Sequence, residues 1–321
     1  MLIICSIPQL TDEQMKKLKS LNDKIYFTED IHSNTHTVPY DKAEIFITFG
    51  YDIQNEMLDR MENLKWIHIF QTGIEHLPID DILKRDITLT HTKDIHGIPI
   101  GEYVLSMILY SVRDIPRFLA SKHAKYWDER EPRIEEAHGK TVAVFGTGSV
   151  GRDIAKKLKA LSMQVIGVNT SGKSIEHFDE TYKMEDKHIV LGKSDFVVLI
   201  LPATKDTYHC IGEEEFKSMK NNCFIINVGR GSLIDTDALI DNLLKRRIKG
   251  AALDVFDEEP LPATSPLWDL NNVFISPHIA SLTDKYNDRC IDVFSENLNL
   301  FKEGKELKYR ISFDNIVKRG Y

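Results

Sequence analysis

Residues 144–173 read VFGTGSVGRDIAKKLKALSMQVIGVNTSGK, and this stretch decides the fold. A short apolar run, TVAVF (141–145), leads into glycines at 146, 148 and 151. An amphipathic pattern, SVGRDIAKKLKAL (149–161), begins inside that glycine run, and a second apolar run, MQVIGVN (163–169), follows it. Strand, glycine turn, helix and strand in this order form the dinucleotide-binding βαβ unit. Gly146 is expected to make the tight turn, Gly148 to let the backbone approach a pyrophosphate, and Gly151 to let helix and strand pack closely. The free N–H groups at the helix start, around Ser149 and Val150, favour an anion.

The alternation continues in both directions. Upstream, residues 2–6, AEIFITF (43–49), LKWIHIF (64–70) and DITLTHT (86–92) read as buried strands, and Thr11 followed by Gln14 reads as a capping box. Downstream, DFVVLIL (195–201), CFIINVG (223–229), GAALDVF (250–256) and NVFISPH (272–278) read as further strands. Helical patterns lie between several of them, as at EEEFKSM (213–219) and DTDALIDNLL (235–244). Between the two halves, IPIGEYVLSMILYSVRDIPRFL (98–119) reads as one long, nearly all-apolar helix, suited to the core or to a subunit interface. A final helical pattern covers 283–303. The expected class is α/β, with buried parallel sheets in two domains, as suits 321 residues.

Composition narrows the function. The net charge of −8 is spread along the chain, with no basic block, which argues against nucleic acid. No apolar run approaches the roughly 20 residues that cross a bilayer, and the N-terminus does not read as a signal peptide. Cys5, Cys210, Cys223 and Cys290 form no C-x-x-C pair and no metal-ligand spacing, so free thiols in the cytoplasm are expected, without a metal.

The cofactor question turns on the end of the second strand. An acid there bonds both ribose hydroxyls of NAD and repels a 2′-phosphate. This chain has Asn169, followed by Thr170, Ser171 and Lys173, a set that can accept a phosphate. NADP(H) is therefore expected over NAD(H), although Asn169 could also bond the ribose of NAD. Three later segments end strands on the same side of the sheet: INVGRGSLID (226–235), LDVFDEEPLP (253–262) and ISPHIAS (275–281). Arg230 is suited to holding a carboxylate, His278 to giving or taking a proton, and Glu259 to orienting the His and stabilising its charged form.

With GTGSVGR (146–152), NVGRGSLID (227–235), DVFDEEP (254–260) and SPHIA (276–280) in this order, the chain resembles the D-isomer-specific 2-hydroxyacid dehydrogenases over nearly its whole length. The tail DNIVKRGY (314–321) is also similar to that family's ending. The resemblance implies two Rossmann-like domains: a nucleotide-binding domain (98–283) inserted into a flavodoxin-like substrate domain (1–97 and 284–321), with the active site in the cleft. It implies that Arg230 binds the substrate carboxylate and keto oxygen, that His278 is the acid/base supported by Glu259, and that Asp254 contacts the nicotinamide end. It extends the cofactor site to Leu201, Pro202, Thr207, Val228, Gly229 and Ala280. The loop QTGIEHL (71–77) is similar to the family's substrate loop, whose backbone at Thr72, Gly73 and Ile74 would hold the carboxylate. Side chains around Ile74, Ile98 and Trp127 would set pocket size. Trp127 falls near the position where some members place a tryptophan that enters the neighbour's pocket, and the helix matching 98–119 implies a homodimer. Asn169 departs from the family's usual Asp, and Ser149-Val150 stands where Arg-Ile or Ser-Ile is common.

The expected activity is reduction of a small 2-keto acid, such as glyoxylate, hydroxypyruvate or pyruvate, to the D-2-hydroxy acid. Hydride would reach the carbonyl carbon while His278 protonates the oxygen. Formate oxidation is disfavoured, because those relatives carry Gln rather than Glu beside the His. Phosphite oxidation on the same fold and a non-catalytic NAD(P) sensor remain open alternatives.

Overall fold

The computed structural model describes residues 1–28, 38–72, 77–130 and 134–311. The chain divides into two units: Met1–Ile95 with the segment from Thr283 onward, and His96–Leu282. The similarity read at 314–321 lies outside the described residues.

The first unit starts β1 (Ile3–Cys5), α1 (Asp12–Leu21), β2 (Ile25–Phe27), β3 (Ile45–Thr48), α2 (Asn55–Arg60), β4 (Trp66–Ile69), α3 (Ile79–Lys84) and β5 (Thr88–His91). Its strands form a parallel sheet in the order β2-β1-β3-β4-β5. Thr11 caps α1 as its spacing implies: Gln14 N–H donates to Thr11 Oγ1 at 3.2 Å and Thr11 N–H donates to Gln14 Oε1 at 3.1 Å. Side chains alternate between two apolar layers, Ile4, Phe46 and Ile67 on one face and Ile3, Ile45, Ile47 and Trp66 on the other. Both faces are covered, which is why β1 (IIC) and β3 (IFIT) read as largely apolar runs rather than alternating ones.

The second unit opens with α4 (Gly97–Val112) and α5 (Ile115–His123). Here the structure corrects the single helix expected over 98–119. Asp114 takes the left-handed backbone region (φ +52°), and Pro116 stands in the first turn of α5. Proline has no N–H to give an uninterrupted helix but is tolerated in a first turn, so the chain stops and restarts there. The unit continues with β6 (Thr141–Phe145), α6 (Ser149–Ala160), β7 (Gln164–Asn169), β8 (Glu180–Lys183), α7 (Lys187–Lys193), β9 (Phe196–Leu199), α8 (Glu213–Ser218), β10 (Phe224–Asn227), α9 (Thr236–Leu244), β11 (Gly250–Leu253) and β12 (Val273–Ile275).

These strands form a second parallel sheet, in the order β12-β11-β10-β9-β6-β7-β8. Ala143 and Phe145 of β6 point into one core layer, Val142 and Val144 into the other. The chain runs outward from β6 through β7 and β8, then returns to lay β9 on the opposite side of β6. The strand order therefore reverses between β6 and β9, the switch point where such sheets bind ligands beyond their carboxyl ends.

The last helix, α10 (Tyr286–Lys302), rejoins the first unit. Its Ile291, Phe294, Leu298 and Phe301 recur at helical spacing on one face, and Phe294 and Phe301 stack on Trp66 at centroid distances of 5.2 and 5.3 Å. Beneath that stack lies a fully buried histidine, His68. The Trp66 indole N–H donates to Thr90 Oγ1 at 2.8 Å, and the same hydroxyl is hydrogen-bonded to His68 Nδ1 at 2.7 Å. Burial, with His91 nearby, pushes the His68 pKa down to about 3. Unfolding frees this ring to bind a proton below its ordinary value near 6.5, so the unfolded state holds more protons between the two values. Stability is expected to fall with acidification across that window, by ~1.4 kcal/mol per pH unit from this group. Urea unfolding at stepped pH checks this; an equal pH slope in a His68→Asn variant would refute it.

Candidate active site

The glycine turn follows β6. Gly146 has φ +111°, a region that favours glycine, and a Cβ there would stand 2.8 Å from the Ile200 carbonyl oxygen at the end of β9. A Cβ at Gly151 would lie 1.9 Å from the Gly146 carbonyl oxygen, so helix and turn approach as closely as the spacing implied. Gly148 caps α6, and a Cβ there would meet nothing within 4 Å among the described residues. The first-turn N–H groups of Ser149, Val150 and Gly151 have no intrahelical acceptor. An open backbone beside these first-turn donors at the switch point fits a pyrophosphate.

At the end of β7, Asn169 does more than replace an acid. Its Oδ1 accepts from Ser171 N–H at 3.0 Å, Gly172 N–H at 2.7 Å and Ser171 Oγ at 3.2 Å. Its Nδ2 donates to Thr147 Oγ1 at 3.1 Å and to the Lys173 carbonyl at 3.3 Å. The carboxamide therefore folds the loop on itself and ties it to the glycine turn. The loop leaves Thr170, Ser171 and Lys173 exposed, and Lys173 makes no ion pair among the described residues. Thr207 has a similar internal role in the loop after β9, where its hydroxyl donates to the Pro202 carbonyl at 2.7 Å; Leu201 and Pro202 begin that loop.

Arg230 follows β10 in extended backbone, exposed, with one guanidinium N–H donating to the Gly229 carbonyl at 2.8 Å. The sequence reading missed the residue that shapes this turn. Buried Asn227 donates to the Arg230 carbonyl at 2.9 Å and accepts from Gly229 N–H at 3.1 Å, while Val228 is buried between them. The asparagine in NVGRG was its only signal. A Cβ at Gly231 would fall 1.9 Å from the Phe256 backbone, so the Arg230 turn lies directly against the loop after β11.

That loop carries Glu259, and the loop after β12 carries His278. Glu259 Oε2 stands 2.8 Å from His278 Nδ1, and Glu259 Oε1 accepts from Phe256 N–H at 2.9 Å. A carboxylate only accepts, so Nδ1 keeps its hydrogen and Nε2 is the nitrogen left to exchange a proton. His278 has φ +54°, an uncommon conformation that surrounding bonds must hold. Asp254, 2% exposed, supplies them: its carbonyl accepts from His278 N–H at 2.8 Å. Its carboxylate accepts from Ile279 N–H at 2.9 Å, Ala280 N–H at 2.8 Å and Ser276 Oγ at 2.5 Å. Asp254, expected at the nicotinamide end, has its carboxylate engaged in hanging the His278 loop.

The glycine turn, the Asn169 loop, Arg230, Asp254, Glu259, His278 and Ala280 thus follow carboxyl ends of strands in one sheet. Thr72 belongs to the first unit, after β4. Its hydroxyl donates to the Thr92 carbonyl at 2.9 Å, and its carbonyl accepts from His91 Nδ1 at 2.9 Å. Gly73 and Ile74 lie outside the described residues. Ile98 is exposed in the first turn of α4, and Trp127, beyond α5, is 84% exposed.

Residues 105–280 match the family model of the D-isomer specific 2-hydroxyacid dehydrogenase, NAD binding domain. A glyoxylate reductase of Thermofilum pendens is 33% identical over 83% of this chain and 80% of its own. A D-isomer specific 2-hydroxyacid dehydrogenase family protein from Aeromonas salmonicida superposes with a TM-score of 0.82 at 28% identity, covering 98% of this chain and 99% of that one. The D-lactate dehydrogenase of Aquifex aeolicus, solved with NAD and lactic acid, gives 0.70 at 27% identity over 95% of this chain and 96% of that one. Since the matched model spans more than half of the chain and the relative aligns along most of its own length, this protein belongs to the D-isomer specific 2-hydroxyacid dehydrogenase family of oxidoreductases.

Proposed function

We propose that the protein reduces a small 2-keto acid, with glyoxylate and hydroxypyruvate first, to the D-2-hydroxy acid, and that it prefers NADPH to NADH. The observation that carries the reading is the 2.8 Å Glu259–His278 pair, on loops that follow neighbouring strands, with the Arg230 turn against the Glu259 loop. The glyoxylate reductase relative supports the substrate class. The α6 N-terminus with Gly146, Gly148 and Gly151 would hold the pyrophosphate, and the Thr170–Lys173 loop the adenosine ribose. Leu201, Pro202, Thr207, Val228, Gly229 and Ala280 would flank the rest of the dinucleotide. The bound nicotinamide supplies the hydride.

The residues of the chain do the remainder. Arg230 pairs with the substrate carboxylate and offsets the charge growing on the keto oxygen, an effect that strengthens in the transition state. His278 delivers its Nε2 proton to that oxygen, while Glu259 keeps the ring oriented and stabilises the imidazolium. The domain roles follow: His96–Leu282 binds the dinucleotide and the first unit contributes to substrate binding. A homodimer is part of the reading, supported by Leu109, Ile115, Phe118, Leu119 and Trp127, which α4, α5 and the segment after them leave exposed. Four free, buried cysteines suit a cytoplasmic enzyme.

The test is turnover of glyoxylate, hydroxypyruvate and pyruvate with NADPH and with NADH, followed by absorbance. Asn169→Asp is expected to shift the kcat/KM ratio toward NADH by about tenfold, because a carboxylate near the ribose repels a 2′-phosphate and cannot donate to the Lys173 carbonyl. An unchanged ratio would remove Asn169 from the cofactor choice. No turnover of any of the three acids would remove the proposed activity.

A further inference from the structure

The bonds that hold the His278 loop do not end at Asp254. Ser276 Oγ lies 2.5 Å from Asp254 Oδ1 and 2.7 Å from the hydroxyl of Tyr103, a residue of α4. The polarity of this chain is fixed from one end. An ionised Asp254 carboxylate only accepts, so the Ser276 hydroxyl donates to it. The Ser276 oxygen is then left as an acceptor, and the Tyr103 hydroxyl is the donor. Burial raises the Tyr103 pKa to about 12, so that donor keeps its proton throughout the physiological range. Ser276 and Asp254 are 4% and 2% exposed, which shields both from competition by water.

Asp254 has no ion-pair partner among the described residues, so hydrogen bonds alone compensate its buried charge. Each donor it holds fixes its orientation, and its carboxylate orients the two amides immediately after His278. A buried chain of this kind is rigid when every member is satisfied and loosens as a unit when one is removed. If Tyr103 no longer donates, the Ser276 hydroxyl can rotate, and Asp254 loses its shortest bond.

We propose that Tyr103 is a positioning residue for His278: through Ser276 it fixes the Asp254 carboxylate on which the His278 loop hangs. The inference rests on the reading of His278 as the acid/base, and it makes α4 a structural support of the chemistry as well as a core helix. Tyr103→Phe keeps the ring in place and deletes only the donor.

In the full-length protein with NADPH and glyoxylate, Tyr103→Phe is expected to lower kcat about tenfold while both KM values stay within twofold. A loss of binding or of fold would move KM or the melting temperature instead. Amide hydrogen exchange of the peptide containing Ile279 and Ala280 is expected to speed up about tenfold in Tyr103→Phe and equally in Ser276→Ala, with little further change in the double variant. That second readout needs no turnover, so it judges the anchoring even if no keto acid is reduced. Unchanged exchange at Ile279 and Ala280 in folded Tyr103→Phe overturns the proposal, as does a kcat equal to that of the parent protein.

Discussion

Replacing His278 with Gln is expected to lower kcat for glyoxylate reduction by about 10³-fold while the dissociation constant for NADPH changes little. A positioned general acid typically contributes about 10²–10⁴-fold, and Gln can occupy the space and bond Glu259 but cannot deliver a proton. An unchanged melting temperature and NADPH affinity separate this from a misfolding effect. Stopped-flow rates, with cofactor binding measured by fluorescence on the same samples, decide it. A variant within tenfold of the parent would exclude His278 as the proton donor.

Arg230→Met is expected to cost about 10³-fold in kcat/KM, with both constants affected. Charge-assisted bonds to a carboxylate are worth about 1.5–3 kcal/mol, and removing a donor aimed at a developing oxyanion typically costs about 10²–10³ in kcat. Arg230→Lys should recover little, because an ammonium lacks the planar fork that meets a carboxylate at two points. Glycolate inhibition offers an independent check, since loss of the carboxylate contact should weaken it even where turnover is too slow to follow. Should KM and the glycolate constant both remain within threefold in Arg230→Met, the substrate carboxylate is held elsewhere.

Local order explains what could be read in advance. The glycine turn was legible because its demands are local: φ +111° at Gly146 and a 1.9 Å Cβ clearance at Gly151 leave glycine almost alone at those positions. Most parallel strands were legible because burial on both faces makes them largely apolar. β2 (IYF) and β8 (ETYK), each on the edge of its sheet, were missed. The break between α4 and α5 was missed because apolar periodicity continues across Arg113 and Asp114, where the backbone does not.

By itself, then, the sequence determined the α/β class, the dinucleotide turn and the residue types that stand at the strand ends, because helix and strand periods and backbone sterics act over a few residues. Only the tertiary structure decided which groups meet: Glu259 with His278, Asn227 with the Arg230 turn, and Asp254 with the loop it holds. It also turned Asn169 from a missing acid into the bond centre of its own loop, and linked Tyr103 to Ser276 across 173 positions of chain. Hydrogen bonds need contact within about 3 Å, and only the folding of distant strand ends onto one edge of a sheet brings such partners together.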